Sequence, residues 1–216
     1  MTPETALHLL DYASVAVFAV TGALVASRSQ LDIVGFIFIA CLTATGGGTL
    51  RDIILDRTVF WLADPLVLGL ASLAAVAVFL TAHLLESRYR ALLWIDAFAL
   101  AVAVPAGVAA AMGEAQSWPI LLVMGMITGC LGGLLRDVVC NEVPLVLKQG
   151  ELYVSCAFAG AGAAVLAQAA GLSGLPLLAL CALVTLILRA GSLAFGWRLP
   201  VYRARPPRPE APKRRP

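Results

Sequence analysis

The segment Gly46-Gly47-Gly48-Thr49-Leu50-Arg51-Asp52 returns in altered form 85 residues downstream as Leu131-Gly132-Gly133-Leu134-Leu135-Arg136-Asp137. The same ungapped offset aligns Asp11 with Asp96, Gly22 with Gly107 and Thr43 with Thr128. Apolar coincidences are cheap in a chain that is 61% hydrophobic and 13% charged, but a repeated Gly-Gly-x-x-Arg-Asp is not. The chain therefore reads as a duplication, and its fold has to be one that two similar units can build.

Each unit consists of long apolar runs. Spans are expected near 8–27, 33–56, 65–85, 91–112, 118–140, 151–170 and 173–195, each long enough for about 30 Å of hydrocarbon at roughly 1.5 Å per residue. The predicted class is an all-α polytopic membrane protein with seven transmembrane helices. Residues 5–90 hold the first three-helix repeat, 91–171 the second, and 172–196 a seventh helix outside the symmetry. Three crossings are an odd number, so the second unit enters the membrane from the opposite side, as an inverted repeat about an in-plane pseudo-two-fold axis. Residues 197–216 turn abruptly to Arg and Pro, a composition that buries no core, and read as a disordered basic tail.

Charge placement sets the expected orientation, because basic residues in short loops stay in the cytoplasm. With the N-terminus outside, the inner side holds Arg28, Arg88, Arg90, Lys148, Arg198, Arg203, Arg205, Arg208, Lys213, Arg214 and Arg215, while the outer loops hold only Arg57. The expected location is the plasma (inner) membrane with a cytoplasmic C-terminus. The tail also suits anionic membrane lipid.

Glycine lowers helix stability by about 1 kcal/mol relative to Ala, and a charge at the bilayer centre costs at least about 2.5–3.5 kcal/mol. Three glycines followed by Arg51 and Asp52 inside the second span therefore predict a broken helix, with a second break at Gly132 and Gly133 in the fifth span. Irregular backbone at that depth survives only when buried in protein or lining a wet cavity. A break frees carbonyl oxygens that replace part of a cation's hydration shell, and Thr43, Thr45, Thr49 and Thr128 add hydroxyls. The expected pathway thus comprises Thr43, Thr45, Gly46, Gly47, Gly48, Thr49, Arg51, Asp52, Thr128, Gly132, Gly133, Arg136 and Asp137. Asp11 and Asp96 are candidate counter-charges for the two arginines. Whether those arginines gate the path or brace it as buried ion pairs stays open.

The remaining features are ordinary. Cys41, Cys130, Cys140, Cys156 and Cys181 show neither a CxxC nor a Cys/His metal spacing, and no cleavable signal peptide is evident, since the first residues lack a positive n-region. His8 and His83 are isolated near span ends, and Trp61, Trp94, Trp118 and Trp197 sit near predicted boundaries, where aromatic belts are expected. No nucleophile with an adjacent base, phosphate loop or nucleic-acid surface is present, so no enzyme, cofactor, metal or nucleic-acid partner is expected.

Taken with Arg57-Thr58-Val59-Phe60-Trp61 after the first glycine segment, and Asn141-Glu142-Val143-Pro144-Leu145 and Glu151-Leu152-Tyr153 after the second, these motifs resemble the prokaryotic branch of the trimeric intracellular cation (TRIC) channel family. Bacterial members have also been labelled putative glycine transporters. The resemblance covers about residues 5–195. It implies a homotrimer in which each protomer has its own potassium-conducting pore, lined by broken second and fifth helices. Leu131 departs from the pattern, standing where the first copy has Gly46. A monovalent-cation channel and a secondary transporter of a small zwitterion such as glycine are the two function classes that remain.

Overall fold

The computed structural model describes residues 3–84, 87–148, 151–200 and 202. The tail beyond 202, expected to be disordered, lies outside the described residues. In chain order the helices are α1 (Pro3–Arg28), α2 (Ile33–Ile54), the single turn α3 (Phe60–Ala63), α4 (Leu66–Thr81), α5 (Arg88–Gly113), α6 (Trp118–Val139), α7 (Val154–Ala169) and α8 (Leu175–Phe195). Among the described residues the only extended pairing is an isolated bridge between Glu151 and Arg198.

Local chemistry accounts for most boundaries. Asp32 caps α2 by accepting from the Gly35 amide at 2.8 Å, and Ser87 caps α5 by accepting from the Arg90 amide at 3.3 Å, each satisfying an amide with no partner inside its helix. Proline stands in the first turn of α6 and of α8, where its missing N–H costs no helical bond. Gly196 ends α8 in the left-handed region. Turns recur at the repeat offset: Gln30 and Ala115 have φ of 55° and 50°, and Asp56 and Asn141 both have 53°.

Among the described residues six helices are long and apolar enough to cross a membrane, and the protein is a multi-pass membrane protein. The sixth expected span is shorter than 151–170, for α7 has 16 residues and a length of about 24 Å. Residues 151–153 are used otherwise: Glu151 bridges to Arg198, and Tyr153 is buried at the start of the helix. One apolar cluster is built mainly on α1, α2 and α4, with α5 joining it, and a second on α5, α6, α7 and α8.

The expected breaks are absent. Both α2 and α6 run as uninterrupted helix through Gly46, Gly47 and Gly48 and through Gly132 and Gly133. Glycine serves here to let two helices touch, and close packing offsets its low propensity. A Cβ built on Gly47 would lie 2.3 Å from the carbonyl oxygen of Thr128, and one on Gly132 would lie 2.3 Å from the carbonyl oxygen of Thr43.

Those two contacts also define direction, since moving forward from Thr43 to Gly47 on α2 moves backward from Gly132 to Thr128 on α6. The helices cross antiparallel. Ion pairs at the ends agree with this: Arg28, just before α2, meets Glu142, just after α6, at 3.2 Å, and Arg57, just after α2, meets Glu114, just before α6, at 3.4 Å.

Candidate functional site

Around the crossing, each glycine helix carries a fully buried arginine. Arg51 Nη1 and Nη2 donate to Asp11 Oδ1 and Oδ2 at 2.7 and 3.1 Å, while Nε and Nη2 donate to Asp52 at 2.8 and 3.2 Å. The second arginine repeats the pattern, with Nη1 of Arg136 donating to Asp96 at 3.0 Å and Nε to Asp137 at 2.7 Å. Neighbours in sequence thus pair within each motif, although adjacent helical positions point about 100° apart, because the long arginine side chain folds back on the shorter aspartate. The forked guanidinium is suited to holding two carboxylates at once. At formal charges each cluster of one arginine and two aspartates carries one negative charge.

The aspartates that follow the arginines also fasten the next turn of chain. Asp52 Oδ2 accepts from the Phe60 amide and Asp137 Oδ2 from the Leu145 amide, both at 2.9 Å. The Phe60 ring lies 5.6 Å from the Arg51 guanidinium carbon and packs over Gly48, where a Cβ would come within 2.6 Å of it.

Against Asp11 of the first cluster lies a small cavity of about 10 Å³, room for roughly one water. Asp11, Ser14, Thr43, Gly47, Gly48 and Thr128 line it, with Phe18, Ala44, Phe60 and Ala103 completing the wall. Of the expected pathway residues, Thr43, Gly47, Gly48 and Thr128 come together here. Thr45 and Thr49 turn away, their hydroxyls donating to the carbonyls of Cys41 and Thr45 at 2.8 and 2.7 Å, and Thr49 also accepts from Trp61 Nε1 at 2.8 Å. Gly46 faces Leu135, whose Cδ1 lies 2.7 Å from its Cβ position, with the Gly132 Cα at 3.8 Å. Arg51, Asp52, Arg136 and Asp137 do not line it, and Gly133 faces Tyr153 instead, with 3.2 Å between its Cβ position and the phenol oxygen.

Sequence reasoning missed Ser14, Phe18, Phe60 and Ala103 as lining residues. Ser14 carried a signal, for it stands one helical turn beyond Asp11 and shares its face. A third fully buried arginine, Arg189 on α8, was also missed as a site residue. It donates to the carbonyl of Leu152 at 3.0 Å, meets Glu151 at 3.4 Å and packs over the Tyr153 ring at 4.8 Å. It has no counterpart in the first repeat, because α8 lies outside the duplication. Among the described residues no group of histidine, cysteine or carboxylate side chains has a metal-binding arrangement.

A family model described as "Glycine transporter" matches residues 8–83 and 93–169, two segments that follow the duplication. The chain is 38% identical to a UPF0126 membrane protein of Vibrio cholerae, over 91% of this chain and 82% of that one. It is 35% identical to the UPF0126 inner membrane protein YadS of Escherichia coli K12, over 91% and 96%. Among solved structures, the TRIC trimeric intracellular cation channel orthologue from Rhodobacter sphaeroides superposes with a TM-score of 0.85 at 39% identity, over 89% of this chain and 99% of that chain. An all-helical membrane fold with paired Gly-Gly-x-x-Arg-Asp helices defines the class of protein as a TRIC-type membrane protein. The chain belongs to the family whose model is described as glycine transporter.

Proposed function

We propose that the protein is a channel for monovalent cations, potassium among them, and that the ion passes between α2 and α6 through the cavity at their crossing. The observation that carries this reading is the cavity itself: one carboxylate and several hydroxyls face a space the size of a single water. Oxygen ligands of this kind replace part of a cation's hydration shell. The net negative charge of the Asp11, Arg51 and Asp52 cluster, whose Asp11 faces the cavity, favours cations over anions. The crystal structure similar to this chain over 89% of its length is that of a cation channel.

The same reading includes an assembly and a topology. The protein forms a homotrimer with one path in each protomer, in the inner membrane of a prokaryote, with the N-terminus outside and the C-terminus in the cytoplasm. Residues 5–90 and 91–171 act as inverted repeats, which the antiparallel crossing of α2 and α6 and the exchanged ion pairs support.

A second reading, carriage of a zwitterion such as glycine, has in its favour the description of the family model. The cavity is too small for an amino acid without rearrangement, which weighs for the channel. Planar-bilayer recording of the purified protein under a potassium gradient, with glycine uptake measured in vesicles of the same preparation, separates the two. Unitary currents reversing near the potassium potential are expected; saturable glycine uptake with silent bilayers would overturn the channel.

A further inference from the structure

The two halves of the crossing are alike in backbone but differ in what they offer an ion. Asp11 lines the cavity with its side chain 10% accessible, whereas the side chain of Asp96, its counterpart at the repeat offset, is 0% accessible and stands outside it. Ser14, one turn beyond Asp11, also lines the cavity, and its counterpart is Ala99, a fully buried methyl group. Oxygen ligands are therefore concentrated on the first copy's side.

The hydroxyls across from Asp11 are free to bind. Thr128 is 5% exposed, lines the cavity, and its Oγ1 has no hydrogen-bond partner. Thr43 Oγ1 donates to the Ile39 carbonyl at 2.6 Å and Ser14 Oγ to the Asp11 carbonyl at 2.9 Å; a donating hydroxyl keeps its lone pairs for a cation. Gly22 and Gly107 make room for the two threonines, since a Cβ on either would fall 2.7 or 2.6 Å from Oγ1 of Thr43 or Thr128. Both Asp11 oxygens accept from Arg51, but a carboxylate has about four acceptor positions, so the bidentate pair orients Asp11 without consuming it.

We propose that Asp11, Ser14, Thr43 and Thr128 form a coordination site for a monovalent cation that has shed part of its water, with Asp11 and not Asp96 as its charged ligand. The proposal rests on the cation-channel reading above. One carboxylate diluted among neutral hydroxyls suits a weakly hydrated single charge; Mg²⁺ dehydrates reluctantly and keeps several waters, for which this cavity has no room. Asp96 is then a brace for Arg136, and the site is lopsided by construction.

The test combines permeation with direct binding. Planar-bilayer currents of the purified wild type are compared with Asp11→Asn, Asp96→Asn, Ser14→Ala and Thr128→Val, each checked for intact oligomers by size-exclusion chromatography, and crystals soaked in Tl⁺ are examined for anomalous scattering. Asp11→Asn and Thr128→Val are expected to lower unitary potassium conductance several-fold and weaken selectivity over chloride, Ser14→Ala less so, and Tl⁺ is expected between Asp11 and Thr128. If Asp11→Asn does not assemble, the two uncharged variants decide the matter. Wild-type currents matched by Ser14→Ala and Thr128→Val, an equal loss of selectivity in Asp96→Asn, or Tl⁺ beside Asp96 instead would overturn the site. A silent wild type would overturn the channel reading, and Tl⁺ occupancy would still decide whether the cavity binds a cation.

Discussion

Gly47 on α2 lies so close to Thr128 on α6 that the smallest side chain has no place there: a Cβ would stand 2.3 Å from the Thr128 carbonyl oxygen, and the mirrored pair Gly132 and Thr43 has the same spacing. The obstruction is backbone, so it cannot swing aside as a flexible side chain would.

Gly47→Ala and Gly132→Ala should therefore each destabilise the protein by about 1–3 kcal/mol through overpacking, seen as a lower melting temperature in detergent. Gly69→Ala on α4 is the control, because nothing lies within 4 Å of its Cβ position; it should be neutral or gain up to about 1 kcal/mol from helix propensity. Equal effects at positions 47 and 69 would refute the close-contact account of the motif.

Replacing either buried arginine leaves two carboxylates without compensation. Arg51→Met and Arg136→Met are expected to cost about 3–5 kcal/mol, and Arg51→Lys should recover only part of the loss, since an ammonium cannot grip two carboxylates with a fork. Thermal unfolding of the three variants measures this.

The end-to-end ion pairs should matter far less. Arg28 with Glu142 and Arg57 with Glu114 have side chains 25–41% accessible, so a double-mutant cycle on either should give a coupling of about 0.2–1 kcal/mol that shrinks in high salt. Exchanging the charges within the Arg28 and Glu142 pair should restore most of what either single reversal loses.

Thr45 and Thr49 differ in a way their sequence context hides. Thr49→Val removes the acceptor of the Trp61 indole and should cost about 0.5–1.5 kcal/mol. Thr45→Val removes only a hydroxyl bonded back to its own helix and should be close to neutral. Unfolding midpoints of the pair, measured side by side, check the difference.

The helix count and the partners of the arginines were legible in the chain because both rest on signals that survive one-dimensional reading. Long apolar runs report spans, and a rare Gly-Gly-x-x-Arg-Asp repeated at one offset reports Asp11 and Asp96 as matched positions. That the glycine helices run on unbroken was not legible. Low propensity in a single helix looks the same whether the helix opens or is held shut by a neighbour, and only the neighbour's carbonyl decides. For the same reason Thr45 and Thr49 fell into the expected pathway: hydroxyls near a motif are visible, the direction they face is not. The partners of Arg189 were not legible, because Glu151, Leu152 and Tyr153 lie 36–38 positions away without any repeated pattern to point at them.

The reciprocal contact between Gly47 and Thr128 ties the histories of the two halves together. Neither copy owns a complete contact, since each supplies the notch for the other's carbonyl. A change at Thr43 or Gly47 is thus screened against Gly132 and Thr128, 89 and 81 positions away, while the copies differ elsewhere, as at Ser14 and Ala99. A chain stopping after α4 would have to find a second copy of itself lying head to tail before it regained the crossing. The linked form removes that search, and it is what permits one half to become an ion's ligand while the other remains a strut.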